Sequence, residues 1–135
     1  MNSFFKAVRD FLTDYLPNRR GRSPHTVQSY RDTLKLLIAF LRESKNLKLT
    51  KIDFNIFDTD LIYEYLDWLK HNRKCGTTTI NQRITAIRSF FRYAADRDCA
   101  LIALSQEIDK KIKATKAEGK IADCLSETAL QVFLA

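Results

Sequence analysis

Glycine, proline and cysteine are all scarce in this sequence of 135 residues, which contains three, two and three of them. Frequent turns depend on glycine and proline, so their scarcity argues against many short strands and favours long helices. Cys75, Cys99 and Cys124 stand apart, without the Cys-x-x-Cys spacing of zinc sites or the pattern of a disulfide framework. Two histidines add no ligand cluster. We therefore expect neither a metal nor a cofactor.

Long hydrophobic runs are missing as well. No apolar stretch approaches the roughly 20 residues that a membrane-spanning helix needs. Residues 4–16 are amphipathic and contain Asp10 and Asp14, unlike a secretory signal. Paired carboxylates and a glycine-rich phosphate loop are absent, which disfavours a stand-alone enzyme with a small-molecule substrate. The sequence predicts one compact, soluble, cytoplasmic and reduced domain without a membrane partner.

The net charge of +7 is concentrated in two parts of the chain. Residues 18–46 carry seven Lys or Arg against two acids, and residues 70–97 carry seven against one. Between them, residues 47–69 carry two basic residues against five acids. Two separate basic blocks suggest an electrostatic footprint for an anionic partner rather than a general aid to solubility.

The helical pattern is strongest in residues 77–94. The apolar residues share one stripe, namely Ile80, Ile84, Ile87, Phe91 and Ala94. The opposite face consists of Asn81, Gln82, Thr85, Arg88, Ser89 and Arg92. No carboxylate occurs between residues 77 and 95, although a solvated helix face usually mixes both charge signs. Amides, hydroxyls and arginines suit DNA, whereas the alternative is a helix that merely packs. Thr77, Thr78 and Thr79 are predicted to cap this helix, with Thr79 and Gln82 forming a capping box.

Four other helices are predicted around it. The first covers residues 4–17 and ends at Pro17, and a flexible basic link follows at residues 18–22. Ser23 and Pro24 begin the second, over about residues 24–44, with Asp32 an unfavourable acid on its outward face. The third begins at Asp58 or Thr59 and has an apolar arc wide enough to pack on two sides. The fifth follows the apolar spacing from residue 101 to residue 112.

The end of the sequence predicts a second unit. Residues 110–120 are rich in lysine and are typical of an interdomain linker. Residues 124–135 then begin another helix, with Ser126 as its cap. We expect a domain over residues 1–117, followed at 118–135 by a linker and the first helix of a truncated second domain, so that the chain is one part of a longer protein.

Several motifs together resemble a known family. In chain order they are Ser23-Pro24-His25-Thr26-x-x-x-Tyr30, Thr79-Ile80 and Ile84-x-Ala86-Ile87-Arg88-Ser89-Phe90-Phe91-x-Tyr93-Ala94. They resemble the N-terminal core-binding domain of tyrosine recombinases of the phage-integrase type. The basic linker that leads into Cys124-Leu125-Ser126-Glu127-Thr128 is similar to the segment that opens the catalytic domain of that family. The resemblance covers roughly residues 11–135.

This resemblance implies an all-α, SAM-like bundle of four to five helices that forms half of a C-shaped clamp on duplex DNA. It implies that the second and fourth helices, over about residues 24–44 and 78–97, lie across the major groove and that other recombinase protomers are partners on DNA. The expected DNA-binding residues are His25, Thr26, Gln28, Ser29, Lys35, Thr77, Thr78, Asn81, Gln82, Thr85, Arg88 and Arg92. The expected contacts to the DNA backbone come from Arg19, Arg20, Arg22, Lys113 and Lys116.

The resemblance assigns no catalytic residue to this chain. The catalytic arginines, lysine, histidine and tyrosine of the family belong to the domain that begins near residue 121, and none can be matched here. The tyrosines fit core or helix positions rather than a nucleophile, namely Tyr15, Tyr30, Tyr63, Tyr65 and Tyr93. The chain alone should therefore cleave nothing. The alternative function is a helical protein-interaction or regulatory domain whose basic faces bind an acidic partner.

Overall fold

A computed structural model of the chain describes residues 3–114. The five α-helices are α1 (Ser3–Asp10), α2 (Pro24–Glu43), α3 (Thr59–Asn72), α4 (Thr77–Arg97) and α5 (Ile102–Lys111). A π-helical segment (Phe11–Arg19) continues α1, and short 3₁₀ turns lie at Leu49–Lys51, Phe54–Ile56 and Cys99–Leu101. No strand occurs within residues 3–114, and the all-α bundle is confirmed. The predicted last helix and the boundary after residue 117 lie outside the described residues.

Two predicted helix starts are confirmed at the atomic level. The hydroxyl oxygen of Ser23 accepts a hydrogen bond from the backbone N–H of Thr26 at 3.2 Å, and Pro24 is the first residue of α2. At the start of α3, a carboxylate oxygen of Asp58 accepts from the backbone N–H of Leu61 at 2.8 Å. Both side chains satisfy a donor that the first helical turn leaves unpaired.

Two predicted helix boundaries are wrong, namely the end of the first helix and the cap of α4. The first helix does not stop at Pro17, because burial of Phe11, Leu12 and Leu16 keeps the chain helical through the proline to Arg19. The cap of α4 is Gly76, which makes no side-chain hydrogen bond. Thr77 and the two threonines after it are already helical, so the predicted capping box does not form.

Helices α3 and α4 form the centre of the bundle, and each contacts α2, α5 and the other. The predicted stripe of α4 is buried in full at Ile80, Ile84, Ile87, Phe91 and Ala94. Ala86, Phe90 and Tyr93 of α4 are buried too, so this helix packs over a wider arc than one stripe. The wide apolar arc predicted for α3 is likewise buried, at Leu61, Ile62, Tyr65, Leu66, Trp68 and Leu69.

Phe90 is the centre of an aromatic cluster that joins four parts of the chain. Its ring centroid lies 5.8 Å from that of Phe4, 5.4 Å from that of Phe11 and 6.0 Å from that of Phe54. Phe91 is its neighbour at 5.3 Å. Mostly edge-to-face contacts of this kind stabilise a core beyond the area that they bury. The cluster fixes the second half of α4 against α1, the π-helical segment and the loop before α3.

The loop before α3 is also fixed to α1 by polar contacts. Oδ1 of Asp53 accepts hydrogen bonds from the hydroxyl of Ser3 at 3.0 Å and from the backbone N–H of Phe4 at 3.1 Å. The same oxygen accepts from the backbone N–H of Phe54 at 2.9 Å. One carboxylate therefore holds the first turn of α1 and a 3₁₀ turn of the loop together.

Candidate nucleic-acid interface

A cleft of about 510 Å³ separates α4 from the segment that leads into α2. Four arginines line it, namely Arg20, Arg22, Arg88 and Arg92, against one carboxylate, Asp96. The remaining lining residues are Tyr15, Leu16, Tyr30, Thr85, Ser89 and Tyr93. This arginine cleft combines fixed positive charge with hydroxyl and aromatic groups, a set that suits phosphate oxygens.

The backbone before α2 is shaped so that Arg20 and Arg22 both face the cleft. The backbone N–H of Arg20 donates to the carbonyl of Tyr15, and that of Arg22 donates to the carbonyl of Leu16, each at 2.8 Å. Between the two arginines, Gly21 has a φ of 60°, a left-handed conformation that glycine adopts without steric cost. The link is therefore a hydrogen-bonded turn and not the flexible loop predicted from its composition.

Arg19 differs from the other two arginines of the link. It belongs to the π-helical segment, and its guanidinium Nε lies 3.4 Å from a carboxylate oxygen of Asp14. Arg19 is not among the lining residues of the arginine cleft. Of the three arginines in this link, the structure therefore brings Arg20 and Arg22 to the cleft beside α4.

Tyr15, Tyr30 and Tyr93 form an aromatic wall of the cleft. The sequence did not predict this wall, because it assigned these tyrosines to core or helix positions. The guanidinium carbon of Arg97 lies 3.9 Å from the centroid of the Tyr93 ring and 5.4 Å from that of Tyr15. Burial raises the pKa of the Tyr93 hydroxyl above its ordinary value, and the charge of Arg97 opposes that rise. A helical wheel shows Tyr93 next to the apolar stripe but gives no sign of the cleft beside it.

Arg88 and Arg92 share a carboxylate from α5. Nε of Arg88 donates to Oδ1 of Asp109 at 3.1 Å, and Nε of Arg92 donates to Oδ2 at 2.9 Å. The side chain of Arg92 is 56% exposed, and that of Arg88 is 26% exposed. Burial alone would raise the pKa of the Asp109 carboxyl, but the hydrogen bonds from Arg92 and Arg88 outweigh it and the pKa is lowered. The face of α4 without acids in its own sequence therefore gains one from another helix.

Arg83 of α4 points into the bundle and joins α4 to α2. Its Nη1 donates to the carbonyl of Ser29 at 3.3 Å and to the hydroxyl of Thr33 at 3.1 Å. Thr33 is buried, and its carbonyl accepts from the hydroxyl of Tyr65 at 2.7 Å. Burial of the Tyr65 ring raises the pKa of its hydroxyl, which stays protonated as a donor. Within the described part of the chain, Nε of Arg83 is buried without a hydrogen-bond partner.

On α2, the predicted residues are largely accessible. His25, Gln28 and Lys35 are exposed, while Thr26 and Ser29 are half-buried. The side-chain amide of Gln28 donates to the carboxylate of Asp32 at 2.9 Å, which fixes the acid that the sequence marked as unfavourable.

The surface of α2 continues into the arginine cleft. Arg22 also lines a second hollow of about 330 Å³, whose other lining residues include Gln28 and Arg31. Arg22 therefore borders both the arginine cleft and the hollow beside the start of α2.

The predicted residues of α4 separate into two groups. Thr85, Arg88 and Arg92 line the cleft, whereas Thr77, Thr78, Asn81 and Gln82 lie outside it, nearer the start of the helix. Of these four, Asn81 is half-buried and the others are exposed. The Thr85 hydroxyl donates to the carbonyl of Asn81 at 3.1 Å, which orients it along the helix.

The two predicted lysines of the linker are not brought to the cleft. Lys113 is exposed and borders a different hollow, of about 580 Å³, with Lys70, Lys111 and the first turn of α4. Lys116 lies outside the described residues.

Neither a membrane span nor a metal-ligand cluster occurs within residues 3–114. Within residues 3–114, no helix is long and apolar enough to cross a membrane. In the same part of the chain, no three His, Cys, Asp or Glu residues come together in a way that would hold a metal ion.

Comparison with known proteins gives a consistent family. Residues 9–98 match the profile of the phage integrase N-terminal SAM-like domain. A putative integrase/recombinase of Sinorhizobium fredii, y4rC, is 38% identical over 88 residues, which cover 65% of this chain and 26% of the relative. A second one from that organism, y4rD, is 37% identical over 101 residues, covering 75% of this chain and 36% of the relative. The tyrosine recombinase XerC of Chlamydia caviae is 31% identical over 93 residues, covering 59% and 30%.

These relatives are much longer than the region that they share with this chain. The matched region spans about a quarter to a third of their length, from 26% to 36%. No solved structure matches the chain at a significant level.

Proposed function

The chain belongs to the phage integrase family through its N-terminal SAM-like domain, and from that premise we propose that it is the DNA-binding half of a site-specific tyrosine recombinase. It grips one side of duplex DNA at the recombination core site, and the outward faces of α2 and α4 enter the major groove. The observation that carries this proposal is the arginine cleft between α4 and the turn before α2. The names of the relatives, integrase/recombinase and tyrosine recombinase, support the same function.

The chemistry of the cleft favours the phosphate backbone. Arginine binds phosphate through parallel N–H donors, and phosphate contacts fix the position of a protein on DNA without reading its sequence. Arg20 and Arg22 come from a hydrogen-bonded turn, and Arg88 and Arg92 are held by Asp109. Side chains that are held before binding lose less conformational freedom when DNA arrives.

The first half of α4 suits the base edges instead. Asn81 and Gln82 offer side-chain amides, which pair with adenine in the major groove. The position of Arg88 on the helical wheel does not decide between a base contact and a phosphate contact. Its ion pair with Asp109 and its low exposure support a phosphate contact, because a reader of guanine needs to extend freely into the groove.

The remainder of the longer protein would supply the chemistry. We propose that the whole protein cleaves and rejoins DNA strands together with other protomers on the recombination site, and that this chain alone is inert. Incubation with a nicked suicide substrate should therefore yield no covalent adduct. A phosphotyrosyl product traced to this chain would contradict the division of roles.

The binding test is a titration of the 135-residue chain with a fluorescent 30-base-pair duplex at several salt concentrations. We expect a dissociation constant on the order of 10⁻⁴ to 10⁻⁶ M at physiological salt, with a log–log salt slope near −0.9 per phosphate neutralised. Arg22→Gln should weaken binding and reduce the slope by about one unit. Arg42→Gln is the matched control, since it removes the same charge from the far end of α2.

Two results would contradict the proposal. One is the absence of binding to any duplex at low salt, and the other is an equal effect of the two arginine substitutions. A polyglutamate competitor distinguishes DNA binding from the alternative function, which is binding of an acidic protein. Displacement of DNA by polyglutamate at equal charge concentration would favour an acidic protein partner. Ile84→Ala serves as the folding control, because it should lower stability by ~2–5 kcal/mol and impair binding only through unfolding.

A further inference from the structure

Asp109 binds Arg88 and Arg92 of α4 through the Nε–H group of each side chain. Each of its oxygens takes the Nε–H of one guanidinium, at 3.1 Å for Arg88 and 2.9 Å for Arg92. A guanidinium carries five N–H donors, so the four donors on the Nη atoms of each arginine are not used by this carboxylate. Both arginines also line the arginine cleft. The carboxylate therefore fixes the planes of two cations while their ends stay available to a ligand.

We propose that Asp109 is a positioning residue for DNA binding, which holds Arg88 and Arg92 in the orientation that accepts a backbone phosphate. This inference rests on the proposed DNA-binding function. It assigns a role to α5, a helix that lies outside the two helices expected to face the groove. It also predicts that an acidic residue strengthens the binding of a polyanion.

The position of Asp109 is itself fixed by the packing of α5. The neighbouring Ile108 is fully buried, and Ile112, one turn later, is 1% exposed. The hydroxyl of Tyr63 on α3 donates to the carbonyl of Lys111 at 2.8 Å, which secures the last turn of α5. A carboxylate on so well anchored a turn can order two long side chains that would otherwise sample many rotamers.

The opposing effect is repulsion between Asp109 and the phosphate. That effect is weakened because the charge of the carboxylate is already compensated by two guanidinium groups in contact with it. The proposal therefore requires the gain from ordering both arginines to exceed the repulsion that remains.

Glu107 provides the matched control on the same helix. It is exposed and pairs with Lys111 at 3.0 Å, one turn along α5, and neither residue lines the arginine cleft. Glu107→Gln and Asp109→Asn both remove one negative charge from α5. Only the second removes the contact with the arginines of α4.

The experiment measures duplex affinity against salt for the 135-residue chain and these variants, after thermal unfolding has shown that each one folds. Asp109→Asn should bind the 30-base-pair duplex roughly tenfold more weakly, the effect of about one charged hydrogen bond. Its log–log salt slope should fall by about 0.9, the value for one phosphate contact. Glu107→Gln should keep the wild-type slope, and Asp109→Glu should restore most of the affinity.

The sign and the size of the change in affinity distinguish the other outcomes. Tighter binding and a steeper slope for Asp109→Asn would show that the carboxylate competes with phosphate, and an effect equal to that of Glu107→Gln would show that it acts only through net charge. Either result overturns the inference while the proposed function stands. Absence of wild-type binding overturns both.

A second readout needs no DNA. The Nε–H resonances of Arg88 and Arg92 should be distinct and protected from exchange in the wild-type chain and lost in Asp109→Asn. Averaged resonances in the wild type would overturn the positioning role, whatever the variants do in the titration.

Discussion

The two halves of α4 differ in what they present on the outward side of one continuous helix. Residues 77–85 offer hydroxyls and amides, and the cation among them, Arg83, points inward to α2. Residues 86–97 offer arginines, two of which share Asp109, above the aromatic cluster of Phe90. Within the described residues, no ion pair involves the first half, whereas the second half has two. Under the proposed function, the first half of this helix recognises DNA by hydrogen bonds and the second half attracts it by charge.

The largest expected effect concerns the packing beneath the charged half. Phe90→Ala should lower the free energy of unfolding by about 3–5 kcal/mol, because Phe90 is fully buried and contacts four other rings. Urea denaturation measures this loss. Thr78→Ala, at an exposed position of the polar half, should stay within about 0.5 kcal/mol of the wild type. A loss below 1 kcal/mol, on the order of a surface change, would mean that the cluster does not anchor the second half of α4.

The next effect belongs to the polar half. Asn81→Ala should cost roughly 1–3 kcal/mol on the cognate site and little on random DNA, because loss of a base contact removes discrimination. The cognate site can be obtained by selection from a randomised duplex library, and competition titrations then compare both sequences. Equal losses on both would show that Asn81 contacts the backbone, which would abolish the difference between the halves.

Arg92→Ala tests the charged half in the same titration. It should weaken cognate and random duplexes by nearly equal factors and reduce the salt slope by about one unit. Arg42→Ala, which removes a cation from the end of α2, is the control and should leave the slope unchanged. If Asn81→Ala and Arg92→Ala both leave binding intact in folded protein, α4 is a packing element, and the interface must be sought on α2.

The smallest effect is on stability at low pH. The pKa of Asp109 in the folded chain lies below its ordinary 3.8, so its ion pairs stabilise the fold above that value. This contribution is lost as the pH falls through the lowered folded pKa. The difference in unfolding free energy between wild type and Asp109→Asn should stay constant from neutral pH down to about 5, at no more than about 1 kcal/mol, and then shrink. A difference that grows on acidification would have the wrong sign for this pair.

The helices were predictable because their signals are local. Ser23, Pro24 and Asp58 act on the first turn that follows them, and the stripe from Ile80 to Ala94 repeats within one helix. The wrong predictions were also at helix boundaries, where tertiary packing overrides local sequence signals. Burial of the apolar residues around Pro17 outweighs the hydrogen bond that is lost because proline has no N–H. Gly76 has the extended conformation of the N-cap, so the threonines that follow it are already helical.

The candidate site was predictable only in part. The helical wheel showed that Thr85, Arg88 and Arg92 share a face, and the wheel also puts Arg83 among the apolar residues, which is a signal for its inward contact. No sequence pattern relates Arg88 and Arg92 to Asp109, since 21 and 17 residues separate them and a helix boundary intervenes. The cleft depends on the turn at Gly21, which brings Arg20 and Arg22 towards α4. The curvature of that turn depends on the left-handed conformation of Gly21.

The contact of Asp53 with the start of α1 has a consequence for the order of folding. It joins Phe4 to Asp53, which lies 49 positions further along the chain, and the segment between them contains all of α2. Closing a long loop costs conformational entropy before its contacts compensate for the loss. Helices α2, α3 and α4 are joined by shorter connections. We therefore expect α1 to dock last, so that the aromatic cluster around Phe90 closes in the final step of folding and opens first when the protein unfolds.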